Sequence, residues 1–147
     1  MDIATIEEKD QLLDYIQMAR DGIFTEKGIE RTLKGIPLPY SKIIKEELGD
    51  SLKDNEEVKK ALDQMEEKLE SLKQINITLS FKPSEVFVKN IHRWLKKNLS
   101  EDIIINLNED EGLLGGIVLS YNGYYTDLSI KKKLEELSFK NLSNGNI

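Results

Sequence analysis

The sequence predicts an α+β protein: an N-terminal helical bundle followed by a small C-terminal α/β domain of strand, helix, strand, hairpin and helix. Three observations predict it. Apolar residues recur with a helical period through the first half of the chain. That period gives way to strict alternation at Ile75-Asn-Ile-Thr-Leu-Ser-Phe81, the pattern of a half-buried strand. Further on, Asn122-Gly123 stands between Tyr121 and Tyr124 in the setting of a two-residue type I′ hairpin turn. The expected division is a helical region over 1–74 and an α/β domain over 75–147.

The first helix is expected over 5–23, where Ile6, Leu12, Leu13, Ile16, Ala19 and Ile23 make one stripe. Thr5 and Glu8 have the spacing of a capping box, and Gly22 weakens the other end. A short second helix follows Thr25, carries Ile29 and Leu33, and stops at Gly35. Pro37 and Pro39 lack amide donors and forbid continuation. Ser41 is placed to cap a third helix that ends at Gly49. A fourth starts at Asp54 or Asn55. Its apolar residues Val58, Leu62, Met65, Leu69 and Leu72 form a heptad seam that needs a partner, either the preceding helices or a helix from another chain. The seam runs into the first strand with no flexible linker between.

In the second half, Pro83-Ser84-Glu85 ends the first strand and opens a helix. Phe87, Ile91, Trp94, Leu95 and Leu99 form its apolar stripe. The run Asp102 to Asn108 is a second strand, and its isoleucines predict burial on both faces. A third strand is expected over 113–121, a short return strand over 124–126, and a last helix over 129–139.

Composition narrows the function classes. Of 147 residues, 39% are hydrophobic and 33% charged, enough for a core under a heavily charged surface. A net charge of −6 and a pI near 5.0 argue against nucleic acid as a partner, since phosphate binding wants a basic face. With no cysteine there is no disulfide or thiolate metal site. No apolar window reaches the ~20 residues of a membrane span, so a soluble chain is expected, with any membrane association indirect.

No catalytic set emerges. His92 is the sole histidine and has no cysteine or acid pair to complete a metal site; it reads as a surface or half-buried structural residue. Glu109-Asp110-Glu111 lacks the spaced oxygens of a calcium loop and reads as a solvated connection. The serines have no nucleophile-elbow setting, and no phosphate loop follows the glycines. Lys131-Lys132-Lys133 stands at a helix start, where the dipole disfavours cations. A partner's acidic surface or solubility explains it. Gly115-Gly116 weakens a strand unless a bulky group approaches closely, either the Trp94 helix or a helix from outside. Tyr121 and Tyr124 pair across the turn, and Asp127 or Ser129 is placed to cap the last helix. Every special residue has a structural task, which points to a shaped docking surface with no cofactor, metal or reagent.

Leu114-Gly115-Gly116, then Gly123, then Asp127-x-Ser129, then Leu134 and Leu137, resemble the C-terminal signature of the F-type ATP synthase delta subunit family, which includes the mitochondrial oligomycin-sensitivity-conferring protein. The resemblance covers residues 75–139, and Leu128 stands where the family usually has glycine. It implies a non-catalytic peripheral-stalk protein, a stator. Its N-terminal helices would dock on the N-terminal segments of the ATP synthase alpha subunits in the catalytic head. Its C-terminal region would hold the C-terminal helices of the b subunits. The implied location is the cytoplasmic side of the cell inner membrane, peripheral through the complex, with no nucleic acid and no direct membrane insertion. The family's helical bundle is usually larger than the 74 residues available here, so a reduced bundle is expected. Two other readings share these features: the E-type peripheral-stalk proteins of A/V-type ATPases, and a small nucleic-acid-binding α/β module.

Overall fold

A computed structural model describes residues 2–26, 28–113 and 117–128. Its elements follow the predicted order: α1 (Ile6–Ile23), α2 (Gly28–Lys34), α3 (Tyr40–Leu48), a 3-10 turn (Gly49–Lys53), α4 (Asn55–Glu70), β1 (Lys73–Leu79), α5 (Glu85–Asn98), β2 (Ile103–Glu109), β3 (Ile117–Tyr121) and β4 (Tyr124–Leu128). The chain divides into two compact units, Met1–Ile3 with Glu7–Leu72 and Ala4–Ile6 with Lys73–Ile147. The arrangement is α+β, helices first and a sheet with its helix second. The predicted helix over 129–139 lies outside the described residues.

The helical unit is built on short-range rules. Asp54 adopts extended backbone and accepts hydrogen bonds from the amides of Glu56 and Glu57, so α4 starts where a capping carboxylate satisfies its free donors. Val58, Leu62, Met65 and Leu69 are all buried at 1% exposure or less, which settles the seam: the chain covers it itself. Gly49, at φ 48°, ends α3, since a side chain is strained there. Ser41 is not the cap of α3. The helix begins one residue earlier, behind Pro39, and the Ser41 amide already donates to the Pro37 carbonyl. A proline just before a helix loses nothing, because its missing donor falls where no intrahelical acceptor exists. Gly22 does more than weaken α1. An added Cβ would stand 2.2 Å from Thr32 Oγ1 and 2.7 Å from Thr32 Cβ, so the glycine lets α2 lie close against α1.

The sheet unit has strand order β2-β1-β3-β4. β1 and β2 run parallel, from Lys73↔Ile103 to Leu79↔Glu109, and α5 supplies the crossover that a parallel pair requires. β3 is antiparallel to β1 and β4 antiparallel to β3. Ser84 starts α5 by accepting from the Phe87 amide. One face of the sheet buries Ile75, Ile77, Leu79, Ile103, Ile105 and Ile117 against Ile91 and Leu95 of α5, with Phe81, Phe87, Trp94 and Tyr121 at the margin. Ile104, on the opposite face, is buried as well, as the isoleucine run predicted. That face also carries an amide ladder in which Gln74 and Asn106 both donate to Asn76 Oδ1.

The α5 stripe differs from its prediction at both margins. Leu99 is half exposed beyond the helix end, while Val88 and His92 are buried. His92 is therefore neither surface nor half-buried: it is 4% exposed, with Nε2 2.9 Å from the Ile103 carbonyl oxygen. A hydrogen bond to a backbone carbonyl lets a polar ring lie in the interior at little net cost.

Candidate docking surface

The hairpin joining β3 and β4 is the best-defined part of the predicted surface. Type I′ geometry needs two successive residues at positive φ. Asn122 lies at 49° and Gly123 at 80°, a side chain that tolerates this conformation followed by the residue without one. The turn fixes the register, with Tyr121 opposite Tyr124, Ser120 opposite Tyr125, Leu119 opposite Thr126 and Val118 opposite Asp127.

That register separates the two tyrosines by environment. Tyr121 packs at the margin of the isoleucine core. Tyr124, across the turn, is 80% exposed, among the most exposed large apolar side chains of the described residues. An aromatic ring held in water on a tight turn costs little conformational entropy when a partner covers it. The turn thus leaves one aromatic ring exposed and holds the other against the margin of the core.

Asp127 lies inside β4, which runs two residues beyond the predicted return strand. Leu114, Gly115, Gly116, Ser129, Leu134 and Leu137 lie outside the described residues. The structure therefore brings together Tyr121, Gly123, Tyr124 and, through its backbone, Asp127.

The helical unit offers a second exposed set that periodicity alone did not reveal. Phe24 is 74% exposed in the turn after α1, Leu38 is 77% exposed between the two prolines, and Met18 is 45% exposed. The Met18 methyl lies 4.0 Å from the Cβ position of Gly35. A signal existed: these are apolar residues that fall off every helical stripe, and such residues are the ones a core does not claim. In the same unit the rings of Tyr15 and Tyr40 pack at a tilt of 38° with centroids 5.1 Å apart. The Tyr40 hydroxyl donates to Gln11, and its pKa is pushed up, first by burial and then by Glu8 and Tyr15. Arg20 of α1 bridges Asp63 and Glu66 of α4; its already high pKa is raised further, chiefly by the hydrogen bond to Glu66.

Among the described residues no group of three or more His, Asp or Glu could hold a metal ion. In the acidic segment, Asp110 Oδ1 accepts from the Gly112 amide at 2.9 Å and closes a turn. Among those residues, too, no helix is long and apolar enough to cross a membrane.

Comparison with known proteins identifies the family. The family model of the ATP synthase delta (OSCP) subunit matches residues 49–140. ATP synthase subunit delta of Aquifex aeolicus (strain VF5) is 30% identical over 82 residues, which make up 56% of this chain and 45% of that protein. The chain's match thus spans less than half of the length of that curated relative.

Proposed function

This chain belongs to the ATP synthase delta (OSCP) subunit family, which it matches over 49–140, and on that premise we propose that it is a non-catalytic peripheral-stalk protein that resists rotor torque. The reading assigns the helical unit to the N-terminal segments of the alpha subunits and the sheet unit to the C-terminal helices of the b subunits. The protein then sits on the cytoplasmic side of the inner membrane, held there by the complex. The family match carries the proposal, because it runs from the 3-10 turn through α4 and into the sheet.

Three features support a holding role. α4 ends at Glu70 and β1 begins at Lys73, so the chain passes from helix to strand with no extended linker. The apolar seam of α4 is spent internally, which leaves other surfaces to make the contacts. The exposed aromatics Phe24, in the turn after α1, and Tyr124, the first residue of β4, lie in separate units, which suits a protein with two different partners.

Titration calorimetry with two synthetic peptides tests this: one is the C-terminal segment of the cognate b protein, the other the N-terminal segment of the cognate alpha protein. The expected result is binding of both. Tyr124→Ala weakens the first by about tenfold or more, as loss of an aromatic anchor does, and Phe24→Ala weakens the second. Heat from neither peptide removes the stator reading. Binding unaffected by Tyr124→Ala moves the seat away from the hairpin.

A further inference from the structure

The sheet takes one of its contacts from the far end of the chain. Thr5 forms a parallel bridge to Ile105, and the Ile105 amide donates to the Ala4 carbonyl at 2.9 Å. Ala4–Ile6 group with the sheet unit, although the segments on either side, Met1–Ile3 and Glu7–Leu72, form the other one. Ala4 is 4% exposed and Ile105 fully buried. β2 has β1 on its inner side only, so its outer edge is the side that Ala4–Ile6 meet.

We propose that the outer edge of β2 is an acceptor site for a short extended peptide, and that residues 4–6 of this chain are its resident, a strap that closes the sheet. The physical reason lies in the edge itself. An unpaired strand offers a row of free amides and carbonyls that pairs readily with another chain. Here the middle of that row is met by the chain's own N-terminal segment, directly before α1 begins at Ile6. One bridge is a weak contact, but the segment is covalently attached, so its effective concentration is in the millimolar range. The strap therefore holds in the intact chain and is exchangeable when the attachment is cut. The inference stands apart from the stator reading and does not depend on it.

Hydrogen exchange measured by NMR tests it in two proteins. Alternate residues of a strand aim their amides at opposite edges, so the Ile105 amide reports the strap and the Ile104 amide reports pairing with β1. A chain starting at Glu7 is expected to exchange Ile105 at least about tenfold faster, with Ile104 changed much less, in line with local opening. A peptide spanning residues 1–8, added at millimolar concentration, restores the slow rate. If the shortened chain does not fold, Ala4→Asp in the full chain asks the same question, since a charge at that buried position ejects the strap. Ile105 exchange unchanged in the variant that folds overturns the proposal. So does acceleration of Ile104 and Ile105 by equal factors, or failure of the peptide to slow Ile105.

Discussion

The helical unit and the sheet unit stay folded by different means. The ion pairs found among the described residues all lie in the helical unit: Arg20 with Asp63 and Glu66, Lys68 with Glu47, Lys42 with Glu46, and Lys9 with Asp10. Its helices range from 7 residues in α2 to 18 in α1, and a close α1–α2 approach at Gly22 helps to bring them together. The sheet unit instead relies on isoleucine and leucine layers, a backbone ladder and an aromatic margin. The difference teaches where each unit is vulnerable. Half-exposed ion pairs contribute ~0–1 kcal/mol each, so the helical unit too rests on its buried apolar residues, with the close approach at Gly22 as an added demand on shape. The sheet unit depends on the volume of its core.

The largest effects should come from the two cores. Leu62 and Ile77 are both fully buried, and truncation of such residues costs ~2–5 kcal/mol. Leu62→Ala is expected to melt the helical unit while the β1 amides remain protected, and Ile77→Ala to do the reverse. Hydrogen exchange under mild urea distinguishes the two. A single common transition in both variants breaks the comparison and makes the chain one cooperative body.

Next in size is Gly22→Ala. Alanine favours a helix over glycine by ~1 kcal/mol, which alone predicts stabilisation. The contact at 2.2 Å from Thr32 opposes it, and overpacking of this kind costs ~1–3 kcal/mol. Because the obstructing atoms include Thr32 Cβ, which cannot swing away, destabilisation wins. A lower urea midpoint for Gly22→Ala is the expected outcome, and because alanine at 32 would keep the obstructing Cβ, the clash is relieved by adding Thr32→Gly, not Thr32→Ala.

Cap removal gives a smaller and matched pair. Asp54→Ala and Ser84→Ala each remove a side-chain acceptor from a helix start, one in each unit, at ~1 kcal/mol apiece. Equal losses, read from denaturation midpoints, show that local rules act alike in both units and that their difference lies in tertiary packing.

The smallest effect is the alkaline response. Folding raises the Tyr40 pKa above its usual value near 10.0. The folded protein thus keeps a proton that the unfolded chain gives up, and this contribution, complete below pH ~10, is lost as the pH climbs higher. The helical unit is expected to weaken first on alkaline titration, and Tyr40→Phe to flatten that part of the profile.

Much of the fold was legible because its signals are local. The capping carboxylate of Asp54, the stop at Gly49, the α4 seam and the Asn-Gly turn each act within a few residues, and each lies where chain chemistry puts it. Ser41 misled because a hydroxyl after a proline resembles a cap, whereas the proline itself stood at the helix boundary. His92 misled because its burial depends on the Ile103 carbonyl, eleven residues away on another element. In the docking surface, the turn and the Tyr121–Tyr124 register could be read directly. Which tyrosine would be free could not, because that is decided by which ring reaches the α5-covered core.

By itself the sequence determined the order of the described elements, the hairpin, the starts of α4 and α5, the stop of α3 and the family, since period, caps and turn residues are properties of short segments. Only the tertiary structure decided the strand order β2-β1-β3-β4, the reach of Arg20 to Asp63 and Glu66, and the return of Ala4–Ile6 to β2. Those contacts join residues far apart in the chain. Backbone and side-chain groups with many possible partners choose among them only when packing fixes their neighbours.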